Sequence, residues 1–383
     1  MTRQAAHPML AVPDHDEAAR DDYSSTFRHY VLSTLTPGNR VVHDAEVVPA
    51  FTRAKGRAPA TRQELRQAME RHPYHQMWGS LLRVSQEIMW DGLEGSVHRQ
   101  LPKLITRAQV KRPVGSLYLD GSFVLPRYLA AVDHHCMPGS YSAEVAEGDV
   151  RAGAIYDRGV YIYHHGARGS LHDANGRMLA AFLNGTYPGF APRRILDMGC
   201  SVGHSTVGLA KHFPKAEVHA IDVGAAMLRY AHGRAEALGV PVHFAQANAE
   251  RTHYADASFD LVVSSNLFHE TARPALANIL CETKRLLRPG GIMVHMEVPY
   301  RYKDLPLLEQ VLRGWQTFYN AEPFWDAICS IDVADAAKRA GLVDVRSGYV
   351  RRSPDPVKEP RTFTDQWGTG PDFRFIVTAR SSA

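Results

Sequence analysis

The sequence predicts an α/β protein: a seven-stranded, mostly parallel open sheet with helices on both faces, preceded by a mainly helical region. Three observations predict it. Beyond about residue 190, short apolar runs alternate with helical stretches, the order expected of parallel strands joined by crossovers. Before that point strand-like runs are few and apolar residues recur at helical spacing. The chain has 383 residues, a length that suggests about two or three domains.

The elements follow in order. The first twenty or so residues read as a loose tail, with a helix from about Glu17 to Leu32. Thr61-Arg-Gln-Glu64 has the form of a capping box, in which the Thr hydroxyl takes an orphan N–H and Glu64 reaches back. It opens a helix to about Arg71, which Pro73 interrupts. Met77, Leu81, Val84 and Ile88 mark a helix over 77–90, and another is expected over 95–107. Residues 111–153 carry Pro113, Gly115, Gly121, Pro126, Pro138 and Gly139 and read as a connecting region with short elements. Strands are then expected over 194–198, 217–223, 242–246, 259–264 and 292–298, with an antiparallel pair, 342–350 and 373–379, closing the sheet. Helices fall between them, over 203–213, 225–238, 274–287 and 333–340. Pro274 sits at a first turn and Gly239 just past a last one. The division expected is an accessory, substrate-recognition or dimerisation region over 1–150 and the sheet domain over 151–383, with a helical insert over 300–330.

Composition bounds the function. Hydrophobic residues make up 45% and charged residues 22%, an ordinary globular balance. The 44 basic and 40 acidic residues leave a formal charge of +4, so no clustered Lys/Arg surface points to nucleic acid. Cys136, Cys200, Cys281 and Cys329 form no CxxC pair, which excludes zinc ribbons and thioredoxin-type motifs. His134-His135-Cys136 together with His164-His165 fits no metal-ligand spacing, and no metal is expected. The N-terminus turns acidic where a signal peptide needs its apolar core, and no apolar run reaches the roughly 20 residues that cross a bilayer. A soluble, cytoplasmic protein without membrane or nucleic-acid partners is expected.

The chemistry concentrates in Ile195-Leu-Asp-Met-Gly-Cys-Ser-Val-Gly-His-Ser205. A strand ends at Asp197, a glycine-bearing turn follows, then a helix. Ligands of open α/β sheets bind outside the carboxyl ends of the strands, and Gly199 and Gly203 allow close backbone approach. Asp222 ends the next strand, where a carboxylate can accept both hydroxyls of a ribose. The loop lacks the spacing of the dinucleotide fingerprint, and the chain has no Walker A sequence. A cofactor with a cationic amino-acid end and no phosphate fits, and S-adenosyl-L-methionine is one.

Taken together, ILDMGCSVG, HAIDVGAAML, AQANAE, SFDLVVSSNLFHE and LLRPGG, in that order, resemble the class I S-adenosylmethionine-dependent methyltransferases of small-molecule type. The resemblance covers about residues 155–383 and implies a Rossmann-like fold. It also implies that Asp197, Gly199 and Gly203 shape the methionine end, Asp222 with Val223 holds the ribose, and Asn248 and Ala249 edge the adenine, with Ser201 and Ser265 along the cofactor. Ser201 replaces a glycine and Asn248 an acid of the usual pattern.

For the acceptor, SSNLFHETARP resembles small-molecule O-methyltransferases, with Glu270 and Thr271 in place of Asp and Trp. His269 is then the candidate general base, beside the alternative of a histidine packing at a helix start. The segment 300–330, with Tyr300, Tyr302, Trp315, Phe318, Tyr319, Phe324 and Trp325, reads as a lid or as a helix packing on the core. Tyr161, Tyr163, Trp315 and Tyr319 are the candidate substrate contacts. The expected activity is methylation of a small aromatic or apolar acceptor at O or C, the protein acting as monomer or homodimer. The alternatives are a peptide methyltransferase that recognises its partner through residues 1–150, and a non-catalytic cofactor-binding scaffold.

Overall fold

In the computed structural model, residues 3–299, 301–353, 355, 358–365 and 372–382 are described. Asp14 caps the first helix, α1 (His15–Tyr30), in a reciprocal capping box with Glu17. Two π-helical turns then carry the chain through α2 (Thr36–Val42) and α3 (Val48–Lys55), which ends on Gly56 in the left-handed region. Thr61 caps α4 (Arg62–Met69) as expected, but Glu64 takes the N–H of Ala60 at 2.9 Å. As expected, Pro73 separates α4 from the next helix. It occupies the first turn of α5 (Pro73–Ala108), where its missing N–H costs nothing, and the two expected helices are one of 36 residues.

Residues 4–11 are not loose. Gln4 and His7 reach the buried carboxylate of Asp157, and Met9 and Ala11 lie in the core. Sequence patterns could not show this, because the partners are some 150 residues away.

The connecting region supplies β1 (Ser116–Tyr118) and α6 (Arg127–Ala130). Two helices absent from the sequence reading follow, α7 (Arg151–Tyr163) and α8 (Ala174–Thr186). Then come β2 (Arg194–Met198), α9 (His204–His212), β3 (Glu217–Asp222), α10 (Ala225–Ala237), β4 (His243–Gln246), β5 (Phe259–Ser265), α11 (Arg273–Leu286), β6 (Leu287–Glu297), α12 (Leu307–Tyr319), α13 (Trp325–Ser330), α14 (Val333–Arg339), β7 (Val343–Arg351) and β8 (Phe373–Arg380). All seven expected strands are present. β1 is an eighth, and the sheet order is β1-β4-β3-β2-β5-β6-β8-β7. β8 runs antiparallel to both neighbours and the other pairs are parallel.

Two apolar layers cover the sheet faces. A third core joins α5, α7 and α10 through Trp90, Leu93, Val97, Ile155, Met227 and Tyr230, so residues from both sides of position 150 share one interior. α8 and α9 approach unusually closely. A Cβ on Gly176 would lie 2.0 Å from the Ser205 carbonyl oxygen, so only glycine fits there. That contact seats the start of α8 against the loop after β2.

Candidate active site

The carboxyl ends of β2, β3, β4 and β5 open into one cleft with about 1090 Å³ of non-atom space, its mouth included. This is where an open parallel sheet places its ligand. Of the nine residues expected to hold a cofactor, Asp197, Gly199, Ser201, Asp222, Val223, Asn248, Ala249 and Ser265 line it. Gly203 does not. It adopts φ 75° at the start of α9, where it shapes the loop from behind.

The loop after β2 holds three left-handed residues, Gly199, Ser201 and Gly203. Ser201 at φ 52° adopts the conformation for which the family pattern supplies a glycine. Its N–H donates to Asp222 Oδ2 at 2.8 Å, and Gly224 N–H donates to Oδ1 at 3.0 Å. A carboxylate has about four acceptor positions, so Asp222 keeps acceptor capacity for a ligand. Asp197 is deeply buried. Its Oδ2 accepts from Thr206 Oγ1 at 2.7 Å, while Oδ1 has no hydrogen-bond partner among the described residues. Burial pushes its pKa up to about 7, against the Thr206 hydroxyl and with help from the charge of Asp222.

The opposite wall is built from distant segments: Tyr128 and Leu129 on α6, Tyr141, Tyr156 on α7, Arg168, His172 and Asn175. Glu270 closes that end. Tyr141 OH donates to its Oε1 at 3.2 Å, and His135 Nε2 lies 3.1 Å from the same oxygen. Burial disfavours the charge of Glu270, but His135 and His269 outweigh it and hold the carboxyl well below its usual range.

Residues 195–291 match the family described as "Methyltransferase domain". This segment is a methyltransferase domain. It is of the class I, S-adenosylmethionine-dependent kind. The chain is similar to the malonyl-[acyl-carrier protein] O-methyltransferase of Halorhodospira halophila, 40% identical over 153 residues, 40% of this chain and 49% of that one. It is 38% identical over 109 residues to the demethylmenaquinone methyltransferase of Thermus thermophilus, 28% of this chain and 49% of that one. The chain thus spans about half the length of these curated relatives. Among solved structures, phosphoethanolamine N-methyltransferase 2 of Haemonchus contortus aligns with a TM-score of 0.39 and 15% identity, covering 56% of this chain and 57% of that one.

Around the methyltransferase domain, several expected contacts fall elsewhere. His269 lies on the short turn after β5 but does not line the cleft. Its Nδ1 is 2.7 Å from Glu297 Oε2 and its Nε2 is 3.7 Å from Glu270 Oε1. Burial opposes its charge, yet Glu297 and Glu270 raise its pKa to about 9. A ring held between two carboxylates behind the wall is not placed to take an acceptor's proton.

Tyr161 is buried beside Arg158, and Tyr163 lies under the guanidinium of Arg28. The cleft residue of that helix is Tyr156. Tyr161 is five residues further on, roughly 140° around the helix. Trp315 packs against Trp78 and donates to the Gly79 carbonyl at 3.1 Å, and Tyr319 is exposed. Leu308, Val311 and Trp315 face the N-terminal helices, so the helical spacing of the insert reports packing. Tyr302 and Trp325 belong to the main core, and Tyr300 lies outside the described residues. Phe324 packs edge-on against Tyr128 and is the aromatic of the insert that touches a cleft residue.

Sequence reasoning missed Tyr128, Tyr141, Tyr156, Arg168 and Asn175. Each enters the site from a loop or helix with no motif around it. For Tyr128 and Tyr141 the one signal was the mid-sequence run of proline and glycine over 111–153, which marks chain that wraps a neighbour rather than packing as regular helix.

Proposed function

We propose that the protein transfers the methyl group of S-adenosylmethionine to a small organic acceptor, at an oxygen or carbon of an aromatic or apolar metabolite. The observation that carries this reading is the match between cleft and cofactor. The orphaned Asp197 Oδ1 suits the ammonium of the methionine end. Arg168 lines the cleft with a buried Nε that lacks a partner among the described residues, which suits the carboxylate. Asp222 keeps acceptor capacity for the ribose hydroxyls, and Asn248 and Ala249 lie where the adenine would rest. The cofactor, when bound, supplies an electrophilic methyl on a sulfonium.

This chain's own residues would bind and align the acceptor. Tyr128, Leu129, Tyr141, Tyr156 and Leu267 give that end apolar and aromatic walls, with Glu270 and Thr271 as its polar groups. Such a wall favours catalysis by alignment and exclusion of water. Residues 1–150 act as the acceptor-side cover, supported by Tyr128, Leu129 and Tyr141 in the lining. The segment 300–330 buttresses that cover through Phe324. The O-methyltransferase and demethylmenaquinone methyltransferase names of the relatives support a small acceptor. The test is calorimetric titration with S-adenosylmethionine, followed by assay of methyl transfer to phenols, quinols and acyl carboxylates. Binding with transfer to one such class is expected. Binding without transfer to any of them, with transfer to a peptide instead, would overturn the small-acceptor reading.

A further inference from the structure

Behind the acceptor wall, three segments far apart in sequence converge. His135 comes from the connecting region, His269 and Glu270 from the turn after β5, and Glu322 from the loop between α12 and α13. One donor atom from each of the four lies within 4.8 Å of the others. We propose that these four residues form a binding site for a divalent transition-metal ion beside the acceptor end of the cleft. The proposal stands independently of methyl transfer.

The geometry is close to a coordination shell. Four donors about 2.0–2.2 Å from one ion in a tetrahedral shell lie about 3.3–3.6 Å apart, so side-chain shifts of about 1 Å close it. His135 offers one nitrogen to an ion: its Nε2 is 3.1 Å from Glu270 Oε1, while its Nδ1 lies 3.1 Å from Glu322 Oε1, which also accepts from Asn320 Nδ2 at 2.7 Å. His269 shows the arrangement typical of metal-bound imidazoles: one nitrogen faces a carboxylate, Glu297 at 2.7 Å, and the other points into the cluster. Glu297 also accepts the Phe268 N–H at 2.6 Å, which fixes it as a positioning residue. The His135 backbone is held as well, its carbonyl accepting from Trp90 Nε1 at 2.9 Å and from Gln86.

A second observation points to a missing ligand. Glu322 is 1% exposed, yet its Oε2 has no hydrogen-bond partner among the described residues, and neither has Glu270 Oε2. Leaving buried carboxylate oxygens unpaired is costly. A cation held by both carboxylates would offset that cost, with His134 Nε2 3.7 Å from Glu270 Oε2 as the nearest protein cation candidate. Two imidazoles and two carboxylates suit Zn²⁺ and its first-row neighbours better than Mg²⁺ or Ca²⁺, which prefer all-oxygen shells. Because Glu270 also lines the cleft, an ion there would lie within reach of an acceptor's oxygen.

The test uses the full chain, stripped with a chelator and titrated with Zn²⁺ against a chromophoric competitor. One tight equivalent is expected. Glu322→Gln and His135→Gln should each weaken it about 100-fold or more, while His15→Gln at the surface should leave it within about twofold. S-adenosylmethionine affinity, measured in parallel, reports folding of the variants. Should they not fold, a crystal of the unaltered protein soaked in Zn²⁺ decides: an anomalous peak among the four residues is expected. A peak only elsewhere, or a tight equivalent that survives both substitutions, would show instead a buried network of protonated imidazoles and carboxylates.

Discussion

The two walls of the cleft are built in different ways. The wall proposed to hold the cofactor comes from strand ends and the turns that follow them, and each residue is fixed by its own element: Asp197 by β2, Asp222 by β3, Ser265 by β5. The wall proposed to face the acceptor is assembled from chain before β2, with Tyr128, Tyr141 and Tyr156 brought in by tertiary packing. The first wall follows from local backbone geometry. The second exists only once α5, α7 and α10 share their core. Substitutions should therefore separate cleanly: cofactor affinity moves with the first wall, acceptor kinetics with the second.

The largest effect should come from Asp222→Ala. Losing two charge-assisted hydrogen bonds of roughly 1.5–3 kcal/mol each should weaken S-adenosylmethionine binding by about 100-fold or more, read by titration calorimetry. Asp197→Asn comes next, weakening the cofactor about tenfold or more through loss of one such bond. The same change should stabilise the cofactor-free protein. The Asp197 carboxyl holds its proton up to about 7 in the fold, mainly through burial, against an ordinary value of 3.8. The folded state thus binds protons more tightly, and stability falls as pH rises from about 4 to about 7. Melting curves should show the Asn variant gaining most at about pH 8 and little at about pH 4.

Tyr141→Phe tests the second wall. It removes the hydroxyl bond to Glu270, and kcat/KM for the acceptor should fall about tenfold with cofactor affinity unchanged. A parallel loss of cofactor affinity would break the division between the walls. Tyr161→Phe and Tyr319→Phe should do least, with both kinetic constants within about twofold. The Tyr161 hydroxyl is buried without a partner among the described residues, and Tyr319 is exposed away from the cleft. A rise in acceptor KM in either would restore those tyrosines to the site.

The same contrast explains what the sequence revealed. The strands beyond residue 190 and the loop at Gly199–Gly203 carry their geometry in local pattern, so seven strands and eight of the cleft residues could be read directly. β1 could not: three residues with no alternation become a strand because they meet β4. Tyr161 and Tyr163 were singled out with no helix read around them, and the face turned to the cleft depends on how α7 packs on α5. Trp315 shows the reverse case. Its helical apolar spacing was visible, but only the structure shows that its partner is Trp78. His269 stood out in the sequence by its place after the fourth expected strand, whereas its setting depends on Glu297, 28 residues away on β6.

The most direct test of the cofactor wall is a crystal structure with S-adenosylhomocysteine. The ribose hydroxyls should lie within about 3 Å of Asp222 and the amino group beside Asp197 Oδ1, with the sulfur facing Tyr141 and Glu270. A ligand seated outside this cleft, or within it but with its ribose away from Asp222, would contradict the account.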